Sequence, residues 1–234
     1  LASVARQDLE ALELVVVDDA SSDNGPALVV QWLEQHGQRF QRALLLQHQT
    51  NGGLASARNT AFRHAQAPWC FVLDADNSLE AMAVSHCLQL AEAADPETAV
   101  IHPLISKQQS QDMPTTMHLA HDTLLSALSW QRQQFQQRNP IDAMALVRRS
   151  AWEAVGGYQH IPGGWEDYDF WCCLIDADFH GIICPEILAN YTVHCSSMLH
   201  SSTSRRIRQI SRLLQQRHPW LQLETARGSA EGRS

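Results

Sequence analysis

The sequence predicts an α/β protein built on a mostly parallel, doubly wound sheet with helices on both faces. Three observations predict it. Short apolar runs that suit strands alternate with longer segments whose apolar residues recur at helical spacing. The early runs end in acidic or turn-forming residues, as strands entering a turn do. The run Trp69-Cys70-Phe71-Val72-Leu73 has no polar interruption, which suits a central strand covered on both sides, and it stops abruptly at Asp74-Ala75-Asp76-Asn77.

Taken in order, Leu12 to Val17 is a β-branched run bounded by Asp18-Asp19-Ala20-Ser21-Ser22-Asp23-Asn24-Gly25-Pro26. Pro26 suits a first helical position; Val29, Trp32, Leu33 and His36 then share a face, and Gly37 closes the helix. Ala43 to Leu46 is a second strand. A turn at Asn51-Gly52-Gly53 leads into a helix from Leu54 to Ala67 with Leu54, Ala57, Ala61, Phe62 and Ala65 at helical spacing. After the third strand, a helix is expected from Ser78 to Ala94, its stripe of Leu79, Met82, Ala83, His86 and Leu90 facing the core, and Ala99 to Ile105 is a fourth strand. The rest is less regular. The Gln-rich stretch 108–138 reads as a loop and an amphipathic helix near His121–Gln137; Ala143 to Val147 reads as a strand, Ser150 to Val155 and Asp167 to Ala177 as helices, and Ile182 to Val193 as two strands broken at Pro185. Arg205 to Gln216 is a final helix, and Thr225 to Ser234 is a polar tail expected to be disordered.

Composition narrows the function. A formal net charge of -8 argues against a duplex-DNA or anionic-membrane surface, leaving only a local basic patch around Arg205, Arg206 and Arg208. No run of about 18 apolar residues and no signal-peptide pattern occurs. The 6 cysteines have neither metal-type nor scaffold spacing, so they read as reduced thiols in a cytoplasmic setting.

Three acidic groups sit where a strand or loop gives way to a turn or helix: Asp18-Asp19, Asp74-x-Asp76, and Glu166-Asp167 within Gly163-Gly164-Trp165-Glu166-Asp167-Tyr168-Asp169-Phe170-Trp171. In a parallel sheet such ends face one crevice. Carboxylates gathered there repel unless a cation joins them, and oxygen ligands suit Mg²⁺ or Mn²⁺ shared with substrate phosphates. Each group has a plainer reading as well: a capped strand-to-helix turn at Asp74-x-Asp76, a flexible turn at Gly52-Gly53, helix-start acids at Glu166-Asp167, and core packing for Phe170, Trp171 and Trp165.

In combination the motifs carry a resemblance. Val15-Val16-Val17-Asp18-Asp19-Ala20-Ser21-Ser22-Asp23, Asn51-Gly52-Gly53-Leu54-Ala55-Ser56-Ala57-Arg58-Asn59, Leu73-Asp74-Ala75-Asp76-Asn77, and Gly156-Gly157-Tyr158 followed by Gly164 to Trp171 stand in the order and rough spacing of family 2 glycosyltransferases, with their Rossmann-like GT-A fold. The resemblance covers about Leu12 to Met198, and four ordered motifs make it specific. It implies a metal-dependent inverting glycosyltransferase that moves a sugar from a nucleotide-diphosphate sugar, of UDP or GDP type, to an acceptor hydroxyl. Asp18, Asp19 and Ser21 would line the nucleotide site, with Asp19 on the base; Asn51, Gly53 and Arg58 would complete it, and Asp74 would approach the ribose. Asp76 would hold the Mn²⁺ or Mg²⁺ with His194 as a further metal ligand. Asp167 would be the catalytic base, Glu166 would support it and the acceptor, and Trp165 would stack on a sugar face.

Family members normally begin with another strand, which in a doubly wound sheet is central. The stretch Leu1 to Ala11 instead resembles the end of the helix that follows that strand, so the expected organisation is an N-terminally truncated GT-A domain over 1–200, a helical segment over 201–224 and a disordered tail over 225–234. A missing N-terminal segment of the same protein is then an expected partner. The Gln-x-x-Arg-Trp pattern of processive synthases is absent, which points to single additions onto a glycan, a lipid-linked sugar or a small molecule, in the cytoplasm or peripherally at the inner face of a membrane. The competing readings are an inactive nucleotide-sugar-binding fragment and a nucleotidyltransferase; a glycosidase would not need a metal and nucleotide apparatus.

Overall fold

Residues 1–110, 124–194 and 204–223 are described by the computed structural model of the chain. After a one-turn helix α1 (Ala2–Ala5), the valine run forms β1 (Glu13–Asp18), which pairs in parallel with β2 (Arg42–Gln47), Val15 opposite Leu44 and Val17 opposite Leu46. Helix α2 (Gly25–His36) connects them with Pro26 in its first turn, and a 3₁₀ turn at Gly37–Arg39 follows where Gly37 was expected to end the helix. The Arg39 guanidinium donates to the carbonyls of Ala5, Gln7, Leu9 and Glu10, which holds the opening segment against the domain.

Helix α3 (Gly53–His64) leads to β3 (Trp69–Phe71). The helix expected from Ser78 is shorter: Ser78–Leu79 is a strand, β4, and α4 spans Ala83–Ala93. Its buried face is Ala83, Val84, Cys87 and Ala91, whereas Met82 is 47% exposed. Leu79 pairs with Ala189 of a later strand, and that long-range ladder outcompetes the local helical spacing.

Strand β5 (Thr98–Gln109) runs longer than its apolar stretch because it lies beside an equally long partner. The expected helix near His121–Gln137 is replaced, within the described residues, by β6 (Leu124–Leu125) and a single turn α5 (Arg132–Phe135). Leu124 and Leu125 pair with Ser106 and Ile105, and Ser126 turns the chain with φ at +56°. Then come β7 (Leu146–Arg148), α6 (Arg149–Ala154), α7 (Glu166–Asp176), β8 (His180–Val193) and α8 (Ser204–Arg217). Pro185 does not break β8 in two. Pro103 pairs with Cys184 and Leu104 with Ile187, so Pro185 and Glu186 are absorbed in a bulge that needs no ladder donor from proline.

The six-stranded sheet has the order β3-β7-β5-β8-β4 with β6 beside β5. It is mixed: the long ladders, β1 with β2 and β5 with β8, are parallel, and the short pairings of β3, β4, β6 and β7 are antiparallel. Among the described residues β1 and β2 pair only with each other. Helices cover both faces of the larger sheet. Val100 and Val147 face a core with Tyr158, Phe170 and Trp171, and their neighbours Ile101 and Leu146 face the opposite one with Ala83, Val84 and Cys87 of α4. The C-terminal segment belongs to the first of these cores: Ile210 and Leu214 of α8, with Leu221 and Leu223, pack among its aromatic rings. The expected tail over 225–234 lies outside the described residues. No described helix is long and apolar enough to cross a membrane.

Candidate active site

Asp19 follows β1 and reaches the start of α3. One oxygen accepts from the Gly52 amide at 2.9 Å and the other from the Gly53 amide at 2.6 Å, while Asn51 donates to the Asp19 carbonyl at 3.0 Å. Orphan amides at a helix start favour an anion, and here the chain supplies one from 34 residues away. His48 adds a contact at 2.6 Å. Burial pushes the Asp19 pKa up, but the Gly52 amide, His48 and the Gly53 amide outweigh it and hold the carboxyl below its ordinary value. Asp19 therefore has a structural duty that its place in the motif did not disclose. Asp18 is turned outward, accepting from the Ser21 amide at 3.1 Å.

Arg58 is the centre of the arrangement. It is 8% exposed, and from α3 it donates to both oxygens of Asp74, at 2.9 and 3.2 Å, and to Glu166 at 2.7 Å, with its guanidinium 5.6 Å from the centre of the Tyr158 ring. Burial disfavours its charge, but Asp74 and Glu166 more than compensate, so its pKa is raised. One cation thus ties the end of the β3 run to the start of α7. Next to it, Asn59 Nδ2 donates to the Tyr158 carbonyl at 2.7 Å, and Asn59 Oδ1 accepts from the Tyr158 amide at 2.8 Å and from Trp152 Nε1 at 3.0 Å. Gly157 makes this possible with φ at +73°; a Cβ there would stand 2.5 Å from Asn59 Oδ1.

Asp76 turns the other way. Its carboxylate lies 3.0 Å from His194 Nε2, and its carbonyl accepts from the Thr192 hydroxyl at 2.6 Å. The expected metal pair, Asp76 and His194, is thus brought together from the β3 loop and the end of β8. An oxygen and a nitrogen donor meeting on an exposed rim fit a divalent cation that keeps water and substrate oxygens as its other ligands.

Asp167 is half-buried at the first turn of α7, beneath a loop in which Gly163, Gly164 and Trp165 all have positive φ, +104°, +106° and +70°. Positive φ in tryptophan is strain, and such strain gathers at functional sites. Burial and the neighbouring Glu166 push the Asp167 pKa to about 7, with Arg58 opposing and Asp142 reinforcing. A carboxyl poised there is half ionised near neutral pH. Trp165 packs edge-on against Tyr168 at 5.7 Å.

Two participants were not read from the sequence. Asn139 donates to Asp167 Oδ2 at 2.8 Å, and Asp142, raised to about 6 chiefly by burial and then by Asp74 and Asp76, in turn raises Asp167. Both lie in the loop before β7, where only the Asn-Pro-x-Asp turn composition marked the segment. The arrangement gathers acids from the end of the β3 run and the start of α7 around one buried cation.

The fold is of the GT-A class. S. aureus TarS residues 1–349 with UDP-GlcNAc superimposes with a TM-score of 0.64 at 17% identity, covering 91% of this chain and 60% of that one. The mannosyltransferase PcManGT from Pyrobaculum calidifontis, in complex with GDP-Man and Mn2+, gives 0.61 at 23% identity, covering 91% and 56%. Residues 1–156 match glycosyl transferase family 2, and the chain belongs to that family. Relatives include the succinoglycan biosynthesis protein ExoO of Rhizobium meliloti, 33% identical over 98 residues, and a teichoic acid poly(glycerol phosphate) polymerase of Staphylococcus epidermidis, 26% identical over 108 residues. These matches cover 42% and 46% of this chain but 26% and 15% of the relatives.

Proposed function

We propose that this chain carries the site of a metal-dependent, inverting and non-processive glycosyltransferase that moves a sugar from a UDP- or GDP-linked donor to an acceptor hydroxyl. The observation that supports the reading is Arg58, which holds Asp74 and Glu166, the chain neighbours of Asp76 and Asp167, in one hydrogen-bonded unit. Structural neighbours bound to UDP-GlcNAc and to GDP-Man with Mn2+ support a nucleotide-sugar donor.

In this reading the β1 end, with Asp18, Asp19 and Ser21, and the Asn51-Gly53 turn line the nucleotide, and Asp74 faces the ribose. Asp76 and His194 would hold Mn²⁺ or Mg²⁺, which when bound neutralises charge developing on the donor diphosphate. Asp167 takes the proton of the acceptor hydroxyl as that oxygen attacks the anomeric carbon from the face opposite the diphosphate, a single displacement that inverts configuration. Asn139 fixes the orientation of the Asp167 carboxylate through Oδ2. Glu166 and Trp165 border the acceptor side, which would take a glycan, a lipid-linked sugar or a small molecule.

The test is a screen of nucleoside diphosphates by thermal shift with Mn²⁺, followed by transfer or donor-hydrolysis assays with the donor that binds. A ligand at 100 times its Kd stabilises by about 2.7 kcal/mol. Asp76→Ala should remove the Mn²⁺-dependent part of that shift. Binding by the wild type without turnover under any acceptor would favour the inactive donor-binding fragment.

A further inference from the structure

A second cluster of charges surrounds a buried carboxylate of α7. Asp169 is fully buried two residues after Asp167 in α7. Both its oxygens are taken: Arg217 donates to Oδ1 at 2.5 Å through Nε and to Oδ2 at 3.0 Å through a terminal nitrogen, and His218 Nε2 lies 3.1 Å from Oδ1. At the other end of the same helix, Asp176 meets His218 Nδ1 at 2.6 Å, Trp220 Nε1 at 2.7 Å and Arg132 at 3.5 Å. His218 is 3% exposed and touches both carboxylates. Desolvation opposes its charge, but Asp169, Cys173 and Asp176 raise its pKa to about 10, so at neutral pH the two carboxylates face three cations, Arg217, His218 and Arg132.

Asp169, Cys173 and His218 also place ligand atoms within 4.8 Å of one another, the composition of a metal site. The Arg217 fork argues against that reading, because a guanidinium already neutralises both carboxylate oxygens a metal would use. The network is instead a latch that joins the end of α8 to both ends of α7.

Its position gives it consequence. Asp169 lies about 3 Å along the helix axis from Asp167 at 1.5 Å per residue. The Asp169 amide donates to the Trp165 carbonyl at 3.0 Å, so Trp165, Glu166, Asp167 and Asp169 share one hydrogen-bonded turn. The loop before that turn has three consecutive residues with positive φ, Gly163, Gly164 and Trp165, while Arg58 holds Glu166 and Asn139 holds Asp167 from the cleft-facing elements, so Asp169 is the turn's anchor toward α8. We propose that Arg217 and His218, which lie outside the part of the chain matching the family, are positioning residues that set the first turn of α7 and thereby the Asp167 carboxylate through Asp169. The proposal rests on Asp167 being the base.

The experiment uses the whole chain and compares wild type with Arg217→Ala, Arg217→Lys and His218→Gln, each checked for folding by circular dichroism. Two readouts need no turnover: titration of the Asp167 carboxyl by carbon NMR, and hydrogen exchange of amides 169–172. In Arg217→Ala the Asp167 midpoint should fall from about 7 toward the ordinary carboxylate range as the loosened turn lets water reach the carboxyl, whose burial is the largest cause of the raised value, and exchange in that turn should quicken while β5 is unchanged. Turnover should drop on the order of 10- to 100-fold, the effect of a displacement near 1 Å, with Mn²⁺-dependent UDP or GDP affinity within about twofold. Arg217→Lys should recover part of the loss. If Arg217→Ala does not fold, His218→Gln, which keeps the Arg217 fork, carries the same readouts. Variants that melt lower but keep the wild-type Asp167 titration, exchange and turnover per folded molecule overturn the proposal. If the wild type neither binds nor consumes a donor, yet its Asp167 titration still depends on Arg217, the functional reading fails and the latch stands.

Discussion

Asp167 and Arg58 each have their ionisation changed by their surroundings. For Asp167, burial beside Glu166 lifts the pKa from 3.8 to about 7. Between those values the folded state keeps a proton that the unfolded chain has released, so this group lowers stability as pH rises through that window. In the proposed mechanism the same ionisation supplies the base, and turnover should rise with pH along a limb centred near 7. Asp167→Asn should therefore lose about 10²- to 10⁴-fold in turnover, keep its donor affinity, and melt higher than wild type at pH 8. An unchanged rate rejects the assignment. Arg58 works by the opposite logic: it is a buried cation, and its removal strands Asp74 and Glu166 against each other. Arg58→Ala should cost about 3–5 kcal/mol in urea unfolding. Arg58→Lys should restore little of it, because an ammonium cannot fork to two carboxylates.

At the scale of elements, the site depends on how α3 meets the turn before the α7 loop. Asn59 grips Tyr158 from both sides, and Gly157 leaves room for its side chain. Gly157→Ala brings both a positive-φ penalty and a clash with Asn59 and Trp152, so a loss of about 1–3 kcal/mol is expected by chemical denaturation, with a matching loss of turnover. Gly156→Ala, at φ +78° but in open space, should cost less and serves as the comparison. Local spacing misled in three places, and each has a tertiary cause. Leu79 pairs with Ala189, Leu124 and Leu125 pair with β5, and Pro185 is absorbed in a bulge; in each, a ladder from a distant strand overrode the local pattern.

For the whole molecule, the two-piece sheet sets an order of stability. The β1 and β2 pair is mostly half-buried, whereas β5 is fully buried over its first six residues. The pair is tied to the rest through α3: Glu13 accepts from the Gln66 amide at 2.8 Å and pairs with Arg42, which donates to the His64 carbonyl at 2.7 Å. Native-state hydrogen exchange should accordingly show β1 and β2 opening at lower free energy than β5 and β8, and Mn²⁺ with the bound nucleotide should narrow the gap. Equal protection in both sheets would contradict this.

The sequence alone determined the alternation of strand and helix, the family, and the acidic residues at the strand ends, because apolar periodicity and turn chemistry are written locally in Val15-Val16-Val17, Asn51-Gly52-Gly53 and Asp74-Ala75-Asp76. It also located Asp167 at the start of α7. Only the tertiary structure decided how those acids are arranged: Arg58 bridging Asp74 and Glu166, Asp19 turned to the amides of Gly52 and Gly53, Asn139 on Asp167, and Arg217 with His218 on Asp169. Each of these joins residues 16 to 108 positions apart. No local spacing encodes such a pairing, because what selects it is the high cost of leaving a buried charge without a partner once the fold has brought the groups together.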